Sequence, residues 1–333
     1  MTRTLALVLL LAATAVCTAT ANDGTYAHHP SAQALVDRLQ QRGFDPARVR
    51  ALLADAANKP AIIDAMRRPA ESTLTWKQYR PIFLDNKRIV RGAAFIERYQ
   101  SIFDDVERQY GVPAHVIAAI IGVETRYGRI TGKYRVLDAL ATLAFDYIPR
   151  AEFFTSELTH FVRLCLEENL DCRTERGSYA GAMGWPQFMP SSYRNYAVDF
   201  NDNGSRDLWN EPGDIIASVA NYLARNGWRD GERVALPATV SDGAALAAVP
   251  RSRISAKTDW EALRAAGIHI DHAPSAATAA GLLEYAGAEG TEYWVGLPNF
   301  FVITTYNHSP LYAMAVHQLS QAIAARHGAA AGQ

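Results

Sequence analysis

A chain of 333 residues, 49% hydrophobic and 20% charged, is long enough to bury a large core and to fold as two or three lobes. Lys and Arg number 33 against 34 Asp and Glu, a balance that offers no electrostatic case for nucleic acid. After the leader described next, no stretch supplies the roughly 20 apolar residues that a membrane span needs.

The chain opens with Arg3, an apolar run from Leu5 to Ala13, and Ala19-Thr20-Ala21, the pattern of a cleaved signal peptide over 1–21 with a mature chain from Asn22. Cys17 lies inside that leader. Val16 before it is not the small residue that a lipoprotein site uses, so cleavage is preferred over a lipid anchor. Residues 22–110 read as a helical domain. Leu35 and Leu39, Val49 and Leu53, Ile62 and Met66, then Ile89, Phe95, Ile96 and Val106 recur at helical spacing, punctuated by Pro30, Pro46, Pro60 and Pro81.

The segment from Val116 to Gly128 is apolar up to Glu124. Pro113 suits a first helical turn and Gly128 the left-handed residue after the last, which predicts a short buried helix carrying one carboxyl. Two readings of that acid stay open. It is an ordinary ion-paired Glu, or its burial raises its pKa and keeps a proton near neutral pH, as the departure of a sugar oxygen requires.

Helices follow over Val136 to Phe145 and through Phe153, Phe154, Leu158, Phe161 and Leu166. Cys165 and Cys172 are spaced for a disulfide or for two unpaired thiols, and neither has the neighbours of a zinc site. From Gly177 to Tyr193 glycines alternate with aromatics. Such a loop can let backbone approach a ligand while Tyr179 and Trp185 face sugar rings, or it can be a tight turn with aromatics in the core. Ser178 directly follows Gly177, so it is not the nucleophile of a Gly-x-Ser-x-Gly elbow. Asp199, Asn201 and Asn203, with Gly204 at the sixth position, match an EF-hand loop until the twelfth position, which is Asn210 rather than Glu. Calcium and a solvated, ion-free turn are both open there. A helix then starts near Pro212 and stops at Gly227. Residues 231–296 read as a small strand-rich insert, 297–327 return to the main body through the apolar run Phe300 to Asn307 and a closing helix from Leu311 to Ala325, and 328–333 read as a disordered tail.

Four pieces in chain order, Gly122-Val123-Glu124-Thr125-Arg126-Tyr127-Gly128, Gly177-Ser178-Tyr179-Ala180-Gly181-Ala182-Met183-Gly184, Gln187-Phe188-Met189-Pro190-Ser191-Ser192-Tyr193 and Phe301-Val302-Ile303-Thr304-Thr305-Tyr306-Asn307, resemble the lytic murein transglycosylase B family. The resemblance runs from about residue 30 to residue 325. It implies a mainly α, α+β protein whose lysozyme-like core, 111–230 with the EF-hand-like loop, lies between the N-terminal helical domain and the strand-containing insert. It also implies an enzyme, a peptidoglycan lyase that cuts the β-1,4 bond between N-acetylmuramic acid and N-acetylglucosamine and leaves 1,6-anhydromuramyl ends. Glu124 then acts as acid and afterwards as base, with no second carboxylate needed.

By the same resemblance Ser178, Gln187, Tyr222, Tyr306 and Asn307 line the cleft, with Tyr79 and Arg150 from flanking segments. Amides and hydroxyls suit the N-acetyl and hydroxyl groups of a glycan, and Arg150 suits a lactyl or peptide carboxylate. Asp214 is the residue nearest to closing a calcium loop with Asp199, Asn201, Asn203 and Ser205, one position later than expected. The expectation is a periplasmic monomer with no organic cofactor, a structural calcium, glycan strands as substrate, and cell-wall synthesis or remodelling proteins as partners. Trp185-Pro186 and Thr305 depart from the family pattern, where a small or flexible pair and a basic residue are usual, and this bears on subsite shape. A water-using muramidase and a non-catalytic peptidoglycan-binding protein are the competing readings.

Overall fold

The structure, a computed structural model, describes residues 26–67, 74–168, 170–241 and 246–331. The leader expected over 1–21 lies outside them. The class is mainly α with a small sheet, as the sequence implies.

The punctuating prolines mostly open helices rather than break them, because the first helical residue needs no N–H partner. Pro30, Pro46 and Pro60 begin α1 (Pro30–Gln40), α2 (Pro46–Asp55) and α3 (Pro60–Met66), while Pro81 lies inside α4 (Trp76–Phe83). Next come α5 (Asn86–Arg98), capped by Asp85, α6 (Gln100–Tyr110) and α7 (Ala114–Thr125). Then follow β1 (Tyr134–Arg135), α8 (Val136–Asp146), a 3-10 turn (Ile148–Arg150), α9 (Ala151–Glu167), β2 (Arg176–Gly177), α10 (Pro190–Tyr196) and α11 (Pro212–Arg225). The insert contributes β3 (Ala235–Val240), β4 (Thr258–Asp259), α12 (Trp260–Ala265), β5 (Ile268–His269), β6 (Ala279–Ala286) and β7 (Thr291–Gly296). The chain ends in α13 (Pro298–Tyr306) and α14 (Pro310–Ala331), the latter continuing past Ala325 into the segment expected to be a tail. Among the described residues no helix is long and apolar enough to cross a membrane.

Segments distant in sequence share each core. Trp76, Phe95 and Phe103 of α4 to α6 pack with α7, α11, α13 and α14. Val36, Leu53 and Ile62 of α1 to α3 instead pack with Leu140, Phe161 and Tyr193 in a second core. That second body carries the Cys165–Cys172 disulfide, with Cα atoms 5.6 Å apart, which settles the open cysteine question. The insert is an antiparallel sheet in the order β4-β6-β7-β3-β5, with Leu282 opposite Val295 and Leu283 opposite Trp294. Strand alternation lets β6 serve two cores at once: Ala280 and Leu282 face the insert's own core, and Leu283 and Tyr285 face the first.

Tyr222 and Tyr306 pack against both the first and the second core. They mark the seam where the site is built.

Candidate active site

The turn after α7 is more strained than a single left-handed glycine. Arg126, Tyr127 and Gly128 take φ of 53°, 59° and 75° in succession, and non-glycine residues there cost of order 1 kcal/mol or more each. Local contacts hold them. The Thr125 hydroxyl accepts from Gly128 N at 3.1 Å and lies 3.1 Å from the Trp185 carbonyl, to which it donates. The Tyr127 ring folds back between α5 and α7 and donates to Arg88 O at 2.9 Å. Its hydroxyl occupies the space a Cβ would need at Gly92 (2.5 Å) or Gly122 (2.6 Å), and a Cβ on Gly128 would lie 2.1 Å from the Trp185 ring. Gly122, Thr125, Tyr127 and Gly128 are therefore spent on building the turn, which leaves Glu124 facing the seam.

Glu124 is half-buried rather than fully buried, unlike the helix that carries it. Tyr312, near the start of α14 and 2% exposed, donates to Glu124 Oε1 at 2.6 Å. The Tyr306 ring stacks on Tyr312, with centroids 6.4 Å apart and planes 9° from parallel, and its hydroxyl donates to Pro186 O at 2.7 Å. Tyr222 lies against Tyr306 at 4.8 Å and donates to Thr305 O at 2.7 Å, while Phe188 touches both rings. Burial first, and the Glu124 charge second, push the Tyr306 and Tyr312 phenols well above their ordinary range. Both stay protonated and act as donors. Tyr312 escaped the sequence reading because an aromatic near the start of an apolar helix has the pattern of a core residue.

Of the other residues picked from sequence, Tyr79 is buried beside Trp76 and Phe83. Asn307 is the half-buried residue directly after α13. The Ser178 hydroxyl accepts from Ala180 N (3.2 Å) and Ala182 N (3.1 Å), which bends the glycine loop. Gln187, itself left-handed at φ 52°, donates its amide to Thr131 O (3.1 Å) and Gly184 O (2.9 Å). Trp185 faces Gly128 and Phe95, so it buttresses the turn, whereas Tyr179 keeps 38% exposure. Arg150 is exposed on its 3-10 turn, with the guanidinium 4.4 Å from the Phe153 ring centroid. The structure thus brings Glu124, Tyr312, Tyr306, Tyr222 and the Pro186-Gln187-Phe188 stretch together in one cluster.

The Asp199 loop is ordered by its own side chains. Asp199 accepts from Asn203 N (3.1 Å) and Gly204 N (2.7 Å), with Gly204 at φ 88°. Asp214 is buried, and its two oxygens accept from Phe200 N and Asp207 N, both at 2.8 Å. Glu211, overlooked in the sequence because it sits one place past the twelfth position, reaches back to the amides of Asn201 (2.6 Å) and Asn203 (2.9 Å). Among the described residues no group of three or more His, Cys, Asp or Glu is arranged to hold a metal. The donor set is nonetheless all oxygen, as a hard cation prefers. Burial, and then the charges of Glu211 and Asp199, raise the pKa of Asp214, a repulsion that a bound cation would relieve. The residues present therefore fit calcium.

Residues 27–321 match the family described as the Transglycosylase SLT domain. The chain is 41% identical over 311 residues to the membrane-bound lytic murein transglycosylase B of Escherichia coli (strain K12), covering 90% of this chain and 84% of that one. Its fold is similar to the catenated lytic transglycosylase SltB1 from Pseudomonas aeruginosa, at a TM-score of 0.87 and 46% identity over 91% of this chain and all of that chain. It is also similar to the Escherichia coli lytic transglycosylase Slt35 in complex with calcium, at a TM-score of 0.82 and 39% identity over 93% of this chain and 98% of that one.

Proposed function

Because this chain belongs to the transglycosylase SLT domain family, we propose that it is a lytic murein transglycosylase and that Glu124 is its acid and base. The enzyme cuts the β-1,4 bond between N-acetylmuramic acid and N-acetylglucosamine in peptidoglycan. Glu124 gives its proton to the glycosidic oxygen as that bond breaks. The muramyl 6-hydroxyl then bonds to its own anomeric carbon and returns a proton to Glu124, so no water is consumed and a 1,6-anhydro end is left.

The observation that supports this most is the placement of a half-buried carboxylate, oriented through one oxygen by Tyr312, at the seam of two cores. Tyr312 orients the carboxyl group through Oε1 so that Glu124 meets the sugar oxygen. Tyr306, Tyr222, Ser178, Gln187, Asn307 and Tyr79 shape the groove, and Tyr179 offers it an apolar face. Arg150 meets substrate farther out, at the exposed edge beside Phe153. Asp199, Asn201, Asn203, Ser205 and Asp214 hold a structural calcium beside α11. Export to the periplasm follows from the location of the substrate and agrees with a disulfide, which persists in an oxidising compartment.

Mass analysis of fragments released from purified sacculi tests the reaction. Anhydro ends, lighter by one water, are expected from the wild type, and Glu124→Gln is expected to slow release by roughly 10²- to 10⁴-fold with an unchanged melting temperature. Predominantly reducing ends would overturn the transglycosylase reading; undiminished release by the variant would overturn the role of Glu124.

A further inference from the structure

A pocket of about 420 Å³ opens between the start of α5 and the turn that follows Glu124, lined by Asp85, Lys87, Arg88, Arg91, Arg126 and Tyr127 among others. Four cations there face one carboxylate. Arg88 is 4% exposed, and its Nε has no hydrogen-bond partner among the described residues. The buried guanidinium donates through Nη1 to Ile82 O at 2.6 Å and lies 3.3 Å from Asp85, a carboxylate 40% exposed that also caps α5 by accepting from Arg88 N. Lys87, Arg91 and Arg126 are exposed around it, with no acid other than Asp85 in the lining. Positive charge is therefore in excess where one guanidinium has already been withdrawn from water, an arrangement that an incoming anion stabilises.

We infer that this pocket is a carboxylate subsite for the peptide that hangs from the glycan strand, an inference that rests on the murein transglycosylase reading. Arg126 lies two residues after Glu124, so its Cα is within about 7 Å of the glutamate's. The peptide is attached to the muramyl unit whose bond is cut, which brings its acidic groups within reach of this turn. Planar guanidinium groups suit a carboxylate because each can present two parallel N–H donors. The pocket would thus read the side chain of the strand while Glu124 acts on its backbone.

The test uses the full chain and the double variant Lys87→Gln/Arg91→Gln, both exposed positions on α5 outside the catalytic cluster. Binding of an acidic dipeptide, Ala-D-Glu, is measured by calorimetry beside inorganic phosphate. KM and kcat are measured on sacculi with peptides and on glycan strands stripped of peptide by an amidase. Dipeptide binding is expected to weaken about threefold to tenfold in the variant. KM on peptide-bearing sacculi is expected to rise by a similar factor at constant kcat, with stripped strands turned over equally by both proteins. No saturable dipeptide binding by the wild type, binding of phosphate without dipeptide, equal binding by the variant, or an equal loss on both substrates would each overturn the subsite. If neither protein turns over any glycan, the function reading fails instead, and the dipeptide measurement alone decides the pocket.

Discussion

Replacing Tyr312 by Phe isolates one bond of the site. The ring is almost fully buried and stacked on Tyr306, so Phe keeps the packing and leaves no cavity; what is lost is the 2.6 Å donation to Glu124 Oε1. A hydrogen bond to a charged partner is worth about 1.5–3 kcal/mol, and if that stabilisation serves the transition state kcat falls roughly 10- to 150-fold. The phenol also favours the ionised carboxylate over the protonated one. Without it the alkaline limb of the rate profile, where the general acid loses its proton, should move to higher pH. Initial rates on sacculi across pH 4 to 9, with KM and kcat separated and the melting temperature measured in parallel, give both numbers. An unchanged kcat and an unmoved pH profile in a folded variant would refute the assignment of Tyr312 as the group that positions the glutamate.

Gly128→Ala should destabilise the protein by about 2 kcal/mol or more and cut activity sharply, because the new methyl meets the Trp185 ring at a left-handed position; a variant that melts within a degree of wild type would contradict this account of the turn. His317 is buried against Trp294, and burial holds its pKa down to about 4 from 6.5, so the unfolded chain takes up that proton first. Its contribution is complete above pH 6.5 and is lost as the pH falls toward 4, by about 3 kcal/mol in total, and His317→Gln should flatten that limb of the stability profile; a limb of equal steepness in the variant would assign it to other groups. Chelation should lower the melting temperature and added calcium restore it, and Asp199→Asn should remove that response; indifference to both treatments would rule out the metal.

The sequence made Glu124 conspicuous because a charge interrupts an apolar helix, and that local contrast needs no tertiary knowledge. Tyr222, Tyr306 and Gln187 had no such contrast, and only the family resemblance singled them out. Tyr312 and Glu211 were missed for opposite reasons. The tyrosine looks like core until the stack on Tyr306 places it, and the acid is off the EF-hand register until the loop folds back on it. The sequence places the glutamate in a buried helix; the residue itself is half-buried, bonded to Tyr312 and close to Tyr306. The role of Tyr127 was illegible for a different reason. It depends on Gly92, a residue of another helix whose proximity no spacing rule reveals.

The two cores meet at adjacent main-chain carbonyls. Thr125 of α7 donates to Trp185 O and Tyr306 of α13 donates to Pro186 O, so the groove wall is fastened to the glutamate's body by hydroxyls that bond to the loop's main chain. Carbonyl acceptors are present whatever residue supplies them. The departure from the family pattern at Trp185-Pro186 therefore leaves these ties intact, and the extra bulk of the indole is taken up against Gly128, where the left-handed turn leaves room for a ring but not for a Cβ. What the substitution does change is the face that the loop presents. Trp185 is turned toward the first core, and Tyr179 is the aromatic of this loop that keeps 38% exposure.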